Sequence, residues 1–122
     1  MDKGENWELM VAAANAAGIQ LALPDHATIC WSEEDDSWIA WNPLHDDGDA
    51  FRLAVKLGIG IWQHMSIREV EVEYYDDGRS LTEQFGSDPF YANRRAIVRL
   101  AAEMGRAAEE ANPSMSKNQE NV

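Results

Sequence analysis

The residues of this sequence that could do chemistry are mainly carboxylates, and more than half of them lie in four short clusters. The clusters are Glu33, Glu34, Asp35 and Asp36; Asp46, Asp47 and Asp49; Glu69, Glu71 and Glu73; and Asp76 and Asp77. Carboxylates can hold a metal ion, transfer protons or bind a basic surface. No pair of histidines or cysteines has a spacing typical of metal ligands, so we predict no metal or other cofactor.

The cluster from Glu69 to Glu73 has the most informative geometry. Its glutamates alternate with Val70, Val72 and Tyr74, which predicts a strand with an apolar face toward helices and an acidic face toward solvent. Alternate strand residues lie ~6.8 Å apart, from a rise of ~3.4 Å per residue, a distance on the scale of phosphate spacing along DNA. We therefore expect a surface that imitates nucleic acid toward a basic protein, or one that only promotes solubility.

The charge balance excludes several classes of function. The 122 residues include 22 acids and 10 lysines and arginines, a net charge of -12. A nucleic-acid binder needs cations to displace counterions from phosphates, so direct binding to nucleic acid is not expected, and neither is binding to an anionic membrane. No apolar run approaches the ~18–20 residues of a membrane span. The single cysteine, Cys30, fits a reducing cytoplasm.

Tryptophans and arginines offer a second kind of site. Five tryptophans in 122 residues is a high number, and Trp38, Trp41 and Trp62 could stack on an aromatic ligand. Arg94, Arg95 and Arg99 could then bind its phosphates. The alternative uses are core packing for the tryptophans and ion pairs with the chain's own acids for the arginines. This pattern predicts, as the alternative function, a small-ligand or nucleotide-binding sponge.

Catalytic patterns do not emerge from the sequence. Cys30 lies among apolar residues, where a small buried hydrophobe is expected. No serine sits in a GxSxG motif. The segment from Gly58 to Gly60 precedes a strand pattern, whereas a phosphate-binding loop precedes a helix. We therefore expect a protein that binds without catalysing, and the sequence leaves open whether it is a monomer or a dimer.

The elements that must position these residues follow from apolar periodicity. The pattern predicts an α+β fold in the order α-β-β-α-β-β-β-α, with three helices packed in two layers on an antiparallel sheet of four to five strands. Helices are expected over residues 6–17, 47–57 and 88–111, and strands over 27–31, 37–41, 59–65, 69–75 and, less regularly, 80–85. Phe51 and Val55 are expected to widen the core face of the second helix. Residues 1–112 form one domain, and residues 113–122 are predicted to be a disordered tail.

Two segments resemble a known family. The sequence WNPLHDDGDA over residues 41–50 precedes a predicted helix, and ANRRAIVRLAA over residues 92–102 lies in the last helix. Together they resemble the small bacteriophage proteins of the phage ABA-sandwich family, although Leu44 stands where the family has Ser or Thr. The resemblance implies an accessory protein made in the host cytoplasm and helices on both sides of the sheet, with no catalytic residues to transfer. It favours a basic host protein as partner, such as a defence complex or a DNA-handling enzyme.

Overall fold

The computed structural model describes residues 3–23 and 26–111 of the chain. The elements are α1 (Lys3–Ala17), β1 (Leu21–Leu23), β2 (His26–Ser32), β3 (Ser37–Ala40), α2 (Asp47–Leu57), β4 (Ile59–His64), β5 (Glu69–Tyr74), β6 (Arg79–Gln84) and α3 (Pro89–Ala111). The predicted α+β class and its three helices are confirmed. The predicted tail, residues 113–122, lies outside the described residues.

The sheet arrangement differs from the prediction of one sheet with four to five strands. Six strands form two separate antiparallel sheets of three, in the orders β1-β2-β3 and β4-β5-β6. The missed strand, β1, has three residues, too few to show a period of two. It pairs with β2 through Leu21 and Cys30. Every strand pair joins strands that are consecutive in the sequence, and α2 separates the two groups. The local pattern did not show whether β3 and β4 also pair across that helix, so it did not distinguish one sheet from two.

In the second sheet, the central strand has the predicted orientation. Val72 in the central strand β5 lies between Ile61 of β4 and Leu81 of β6. Val70 and Val72 are fully buried, and the helix α3 packs against β5 and β6. Because alternate strand residues point to opposite faces, Glu69, Glu71 and Glu73 lie on the other face. The predicted division of β5 into an apolar helix-facing side and an acidic side is thus confirmed.

Helix α2 shows how the sequence sets local boundaries. The side chain of Asp46 accepts a hydrogen bond from the backbone N–H of Asp49, which caps the first turn. Gly58 ends the helix with φ +72°, a conformation that glycine adopts without strain. The prediction for the core face of α2 was partly wrong. Leu53 is buried, whereas Phe51 and Val55 are 63% and 64% exposed.

Helix α3 is the centre of the fold, since it contacts α1, α2 and the second sheet. Both α1 and α3 bury small residues: Ala13, Ala14, Ala101 and Ala102 have no exposed surface. At Gly105 the two helices are so close that an added Cβ would meet the carbonyl oxygen of Ala12 at 2.0 Å. The first sheet has little such cover, because all four residues of β3 are exposed.

Candidate functional site

The outer face of the second sheet, opposite the helices, is the acidic strand surface that the sequence predicted. The strand register assigns nine residues to it: Gly60, Trp62, His64, Glu69, Glu71, Glu73, Ser80, Thr82 and Gln84. Three of the nine are glutamates, and none is a lysine or arginine. The three glutamates are partly exposed, because β5 is the central strand and its neighbours shield its flanks. We call this surface the acidic sheet face.

Neighbouring strands hold two of these glutamates in place. The carboxylate of Glu71 lies 2.8 Å from Nε2 of His64. The carboxylate of Glu69 accepts a hydrogen bond of 2.7 Å from the side-chain amide of Gln84. Among the described residues, Glu73 has no ion pair and no side-chain hydrogen bond. The role of His64 was missed by the sequence analysis, because only the β4–β5 register brings it opposite Glu69 and diagonal to Glu71.

One end of the acidic sheet face has an aromatic pair. The ring centroids of Trp62 and Tyr75 are 5.7 Å apart in a T-shaped arrangement. Trp62 is 38% exposed, and Tyr75 is more so. Large aromatic side chains beside charges are common at protein interfaces, because they offer apolar contact area with little rotamer freedom to lose. The face therefore combines negative charge with an apolar anchor.

The turn between β2 and β3 is a second acidic surface. Glu33, Glu34, Asp35 and Asp36 are all exposed there. Asp35 accepts a hydrogen bond of 3.1 Å from the hydroxyl of Ser32, which stabilises the turn. No lysine or arginine occurs between residues 4 and 51 of the sequence, and none of the described residues forms an ion pair with this turn. Its charge is therefore not neutralised locally.

The cluster at the start of α2 has a structural use. Asp46 caps the helix. Asp49 accepts hydrogen bonds from the backbone N–H of Asn42 at 2.9 Å and from the Arg52 guanidinium at 2.7 Å. Asp47 is paired with Arg94 at 2.6 Å. Arginines neutralise two of these carboxylates, whereas no lysine or arginine among the described residues pairs with a glutamate of the acidic sheet face. This cluster is therefore the weaker candidate for binding.

The turn between β5 and β6 is also partly neutralised. Asp77 forms an ion pair of 3.2 Å with the guanidinium of Arg79 and also accepts a hydrogen bond from the backbone N–H of Arg79. Asp76 accepts a hydrogen bond of 3.1 Å from the Tyr74 hydroxyl. This bond favours the protonated phenol, and with the nearby negative charge of Asp76 it raises the pKa of Tyr74. Asp76 and Asp77 thus bond to the residues that flank their own turn.

The three tryptophans of the alternative ligand site do not form one surface. Trp41 is buried, Trp38 lies on the first sheet, and Trp62 lies on the acidic sheet face. Arg94 donates to the backbone oxygen of Leu44 and to Asp47. Arg95 and Arg99 both pair with Glu83 of β6, at 3.2 and 2.5 Å. In the first sheet, Trp38 meets Trp31 edge to face, at 5.3 Å between ring centroids, and no arginine of the described residues lies over either ring.

The described residues offer little support for metal binding or for thiol chemistry. These residues contain no group of three or more His, Cys, Asp or Glu side chains arranged to hold a metal ion. The candidate for thiol chemistry is Cys30, which is buried, as predicted. Burial raises the pKa of its thiol, and the negative charge of Asp49 acts in the same direction. The thiol is therefore protonated at neutral pH, which makes it a poor nucleophile.

Comparisons with known proteins assign this chain to no family. Neither the protein-family models, nor the curated proteins, nor the solved structures gave a match. The resemblance to the phage ABA-sandwich family thus has no support beyond its two short motifs. Among the described helices, none is long and apolar enough to cross a bilayer.

Proposed function

We propose that this protein acts by binding, and that its acidic sheet face docks on a basic surface of another protein. The observation that carries the proposal is the composition of that face: three glutamates on the central strand, and no lysine or arginine among the nine residues. A face of one charge sign raises the rate of encounter with a surface of the opposite sign. Trp62 and Tyr75 supply an apolar anchor at the edge.

The partner's chemistry follows from the geometry of the glutamates. A row of carboxylates ~6.8 Å apart along a rigid strand suits a basic channel or groove that otherwise binds a phosphate backbone. The hydrogen bonds from His64 and Gln84 restrict two of the three carboxylates, so less side-chain entropy is lost on binding. A bacterial defence complex or a DNA-handling enzyme has a channel of this kind, and a phage accessory protein would gain by blocking it.

The test removes charge and keeps shape. Replacing Glu69, Glu71 and Glu73 together by Gln leaves the strand's size and hydrogen-bonding capacity nearly unchanged. The variant should be as stable as the parent or slightly more stable, because like charges on one strand repel. Immobilised parent protein is used to capture partners from bacterial lysate at low and physiological salt. The association rate constant of each captured protein is then measured with the parent and with the variant.

The expected result is a slower association by the triple-Gln variant, and a parent rate that falls as salt rises. The Debye length shrinks from ~30 Å at 0.01 M to ~8 Å at 0.15 M salt, so a steered encounter loses most of its acceleration. The matched control replaces Glu33 and Glu34 by Gln and Asp36 by Asn, which removes the same number of charges from the β2–β3 turn. Equal losses in both variants would indicate net charge alone, and an unchanged rate in the triple-Gln variant would contradict the proposal.

A further inference from the structure

An open groove lies between α2, β4 and the first turns of α3. Its volume is about 540 Å³, and its walls are mainly apolar, with Ile61, Phe85 and Ile97 among the lining residues. Three large apolar side chains of its lining project into solvent. Phe51 of α2 is 63% exposed, and Met65 and Phe90 are each 68% exposed. Val55, one turn beyond Phe51 on α2, extends the apolar surface.

Such a concentration of exposed apolar side chains is unusual for a monomer. Single exposed hydrophobic residues are common, but contiguous apolar patches mark contact sites. The groove and the projecting side chains belong to the same small area. One surface therefore has both a recess and the knobs that could fill it, which is what a two-fold interface between identical chains requires.

The charges around the groove nearly balance, which favours a second copy over a strongly acidic or strongly basic partner. The chain has a net charge of -12, so two copies repel each other over most of their surface. Arg68 and Arg94 line the groove, and Arg52 and Lys56 lie next to Phe51 and Val55 on α2. The neighbouring acids balance most of this charge, because Asp47 pairs with Arg94, and Asp46 and Asp49 pair with Arg52. This face is therefore close to neutral, and two copies that meet through it repel each other less than they would elsewhere.

The groove also has complementary charges on different walls. Arg68 lies over the ring of Phe85, and among the described residues no carboxylate pairs with it. Asp47, on the α2 wall, is paired with Arg94 but its side chain is 69% exposed. In a two-fold arrangement, Arg68 of each copy can face Asp47 of the other. The chain's own residues 112–122 are a poor alternative occupant, since Met115 and Val122 are the only large apolar residues among them.

From these observations we infer that a second copy of this chain docks on the groove, and that Phe51 and Phe90 of each copy enter the groove of the other. This inference is independent of the proposed function. Ile61 and Gln63 of β4 line the groove and lie on the helix-facing side of the second sheet. The acidic sheet face is on the opposite side, so a dimer would leave both acidic faces free.

The test is sedimentation equilibrium of the full chain at physiological salt, from roughly 1 to 100 μM, a range that covers micromolar dissociation constants. The parent should be a dimer at the upper end. The double variant Phe51→Glu with Phe90→Glu should be monomeric throughout, since it places four charges in the interface. The matched control, Trp38→Glu with Tyr75→Glu, changes two exposed aromatic residues outside the groove and should dimerise like the parent.

A second variant keeps the test valid if the double variant folds poorly. Arg68→Glu sets like charges against Asp47 across the interface, and it should weaken dimerisation by about 10-fold or more, ~1.4 kcal/mol per factor of ten. Circular dichroism checks that each variant is folded. A parent that stays monomeric at the highest concentration would overturn the inference. So would a dimer that persists in both groove variants, or one that the Trp38/Tyr75 control abolishes.

Discussion

The close contact between α1 and α3 at Gly105 makes a sharp prediction about stability. In Gly105→Ala, the new Cβ would lie 2.0 Å from the carbonyl oxygen of Ala12, whereas real Cβ atoms essentially never approach a heavy atom closer than 3.0 Å. The helices must therefore separate locally by about 1 Å, the difference between these distances. The obstacle is backbone, so it cannot rotate away as a side chain would.

The change in the free energy of unfolding follows from two opposing effects. Alanine is a better helix former than glycine by ~1 kcal/mol. Overpacking costs ~1–3 kcal/mol, and here it should reach the upper end, because the obstacle is backbone and α1 packs extensively on α3. We expect a net loss of about 2 kcal/mol in the free energy of unfolding. For a domain of this size that corresponds to a fall of roughly 8 °C in Tm, at ~4 °C per kcal/mol.

The assay is thermal and urea-induced unfolding followed by circular dichroism. The control is Gly48→Ala near the start of α2, where a Cβ would meet the guanidinium of Arg52 at 3.1 Å and the Asp46 carboxylate at 3.2 Å. Both contacts are relieved by shifts of a few tenths of an ångström in side chains, so the control should lose much less stability than Gly105→Ala, although the Asp46 oxygen also caps α2. An unchanged or raised Tm in Gly105→Ala would refute the close backbone contact between α1 and α3.

Three further predictions concern single side chains. Asp46→Ala removes the cap of α2 and should cost ~0.5–2 kcal/mol in urea-induced unfolding, with Asp46→Asn close to the parent. Glu83→Gln should lower Tm, because it leaves the guanidinium groups of Arg95 and Arg99 without the carboxylate that both contact; an unchanged Tm would show that these pairs contribute nothing. Cys30 should react with a thiol reagent far more slowly in the native than in the urea-unfolded protein. Since folding raises its pKa, the unfolded chain ionises first, so the contribution of this thiol to stability should fall as pH rises above ~8.5.

Features written locally in the sequence were predictable. Asp46, Gly58 and the apolar spacing of Ala50, Leu53 and Ala54 set α2, which spans the predicted residues 47–57. The alternation around Val70 and Val72 set the orientation of β5. In both cases the signal lies within one element: a cap and an apolar stripe in the helix, and an alternation with a period of two in the strand.

Features that depend on how elements meet were not predictable. The apolar Phe51 and Val55 have the same residue types as core positions, and only the placement of β4 and α3 leaves them exposed. The acidic clusters looked alike in the sequence, yet the cations of α2 and α3 neutralise Asp47 and Asp49 and leave the turn from Glu33 to Asp36 without a basic partner among the described residues. Which carboxylates remain available is therefore a property of the tertiary fold.

The pairing of α1 with α3 also bears on how the chain folds during synthesis. Ala12 and Gly105 are in contact although 93 residues separate them, and Asn15 donates a hydrogen bond of 2.9 Å to Glu109. At ~5–20 residues per second, α1 leaves the ribosome roughly 5 to 20 s before the helix that covers it. At the point of closest approach, the surface that waits for α3 consists of Ala12 and Ala16, whose small apolar area gives other nascent chains little to bind. The same small side chains that let the helices approach closely would thus keep this part of the waiting helix inert.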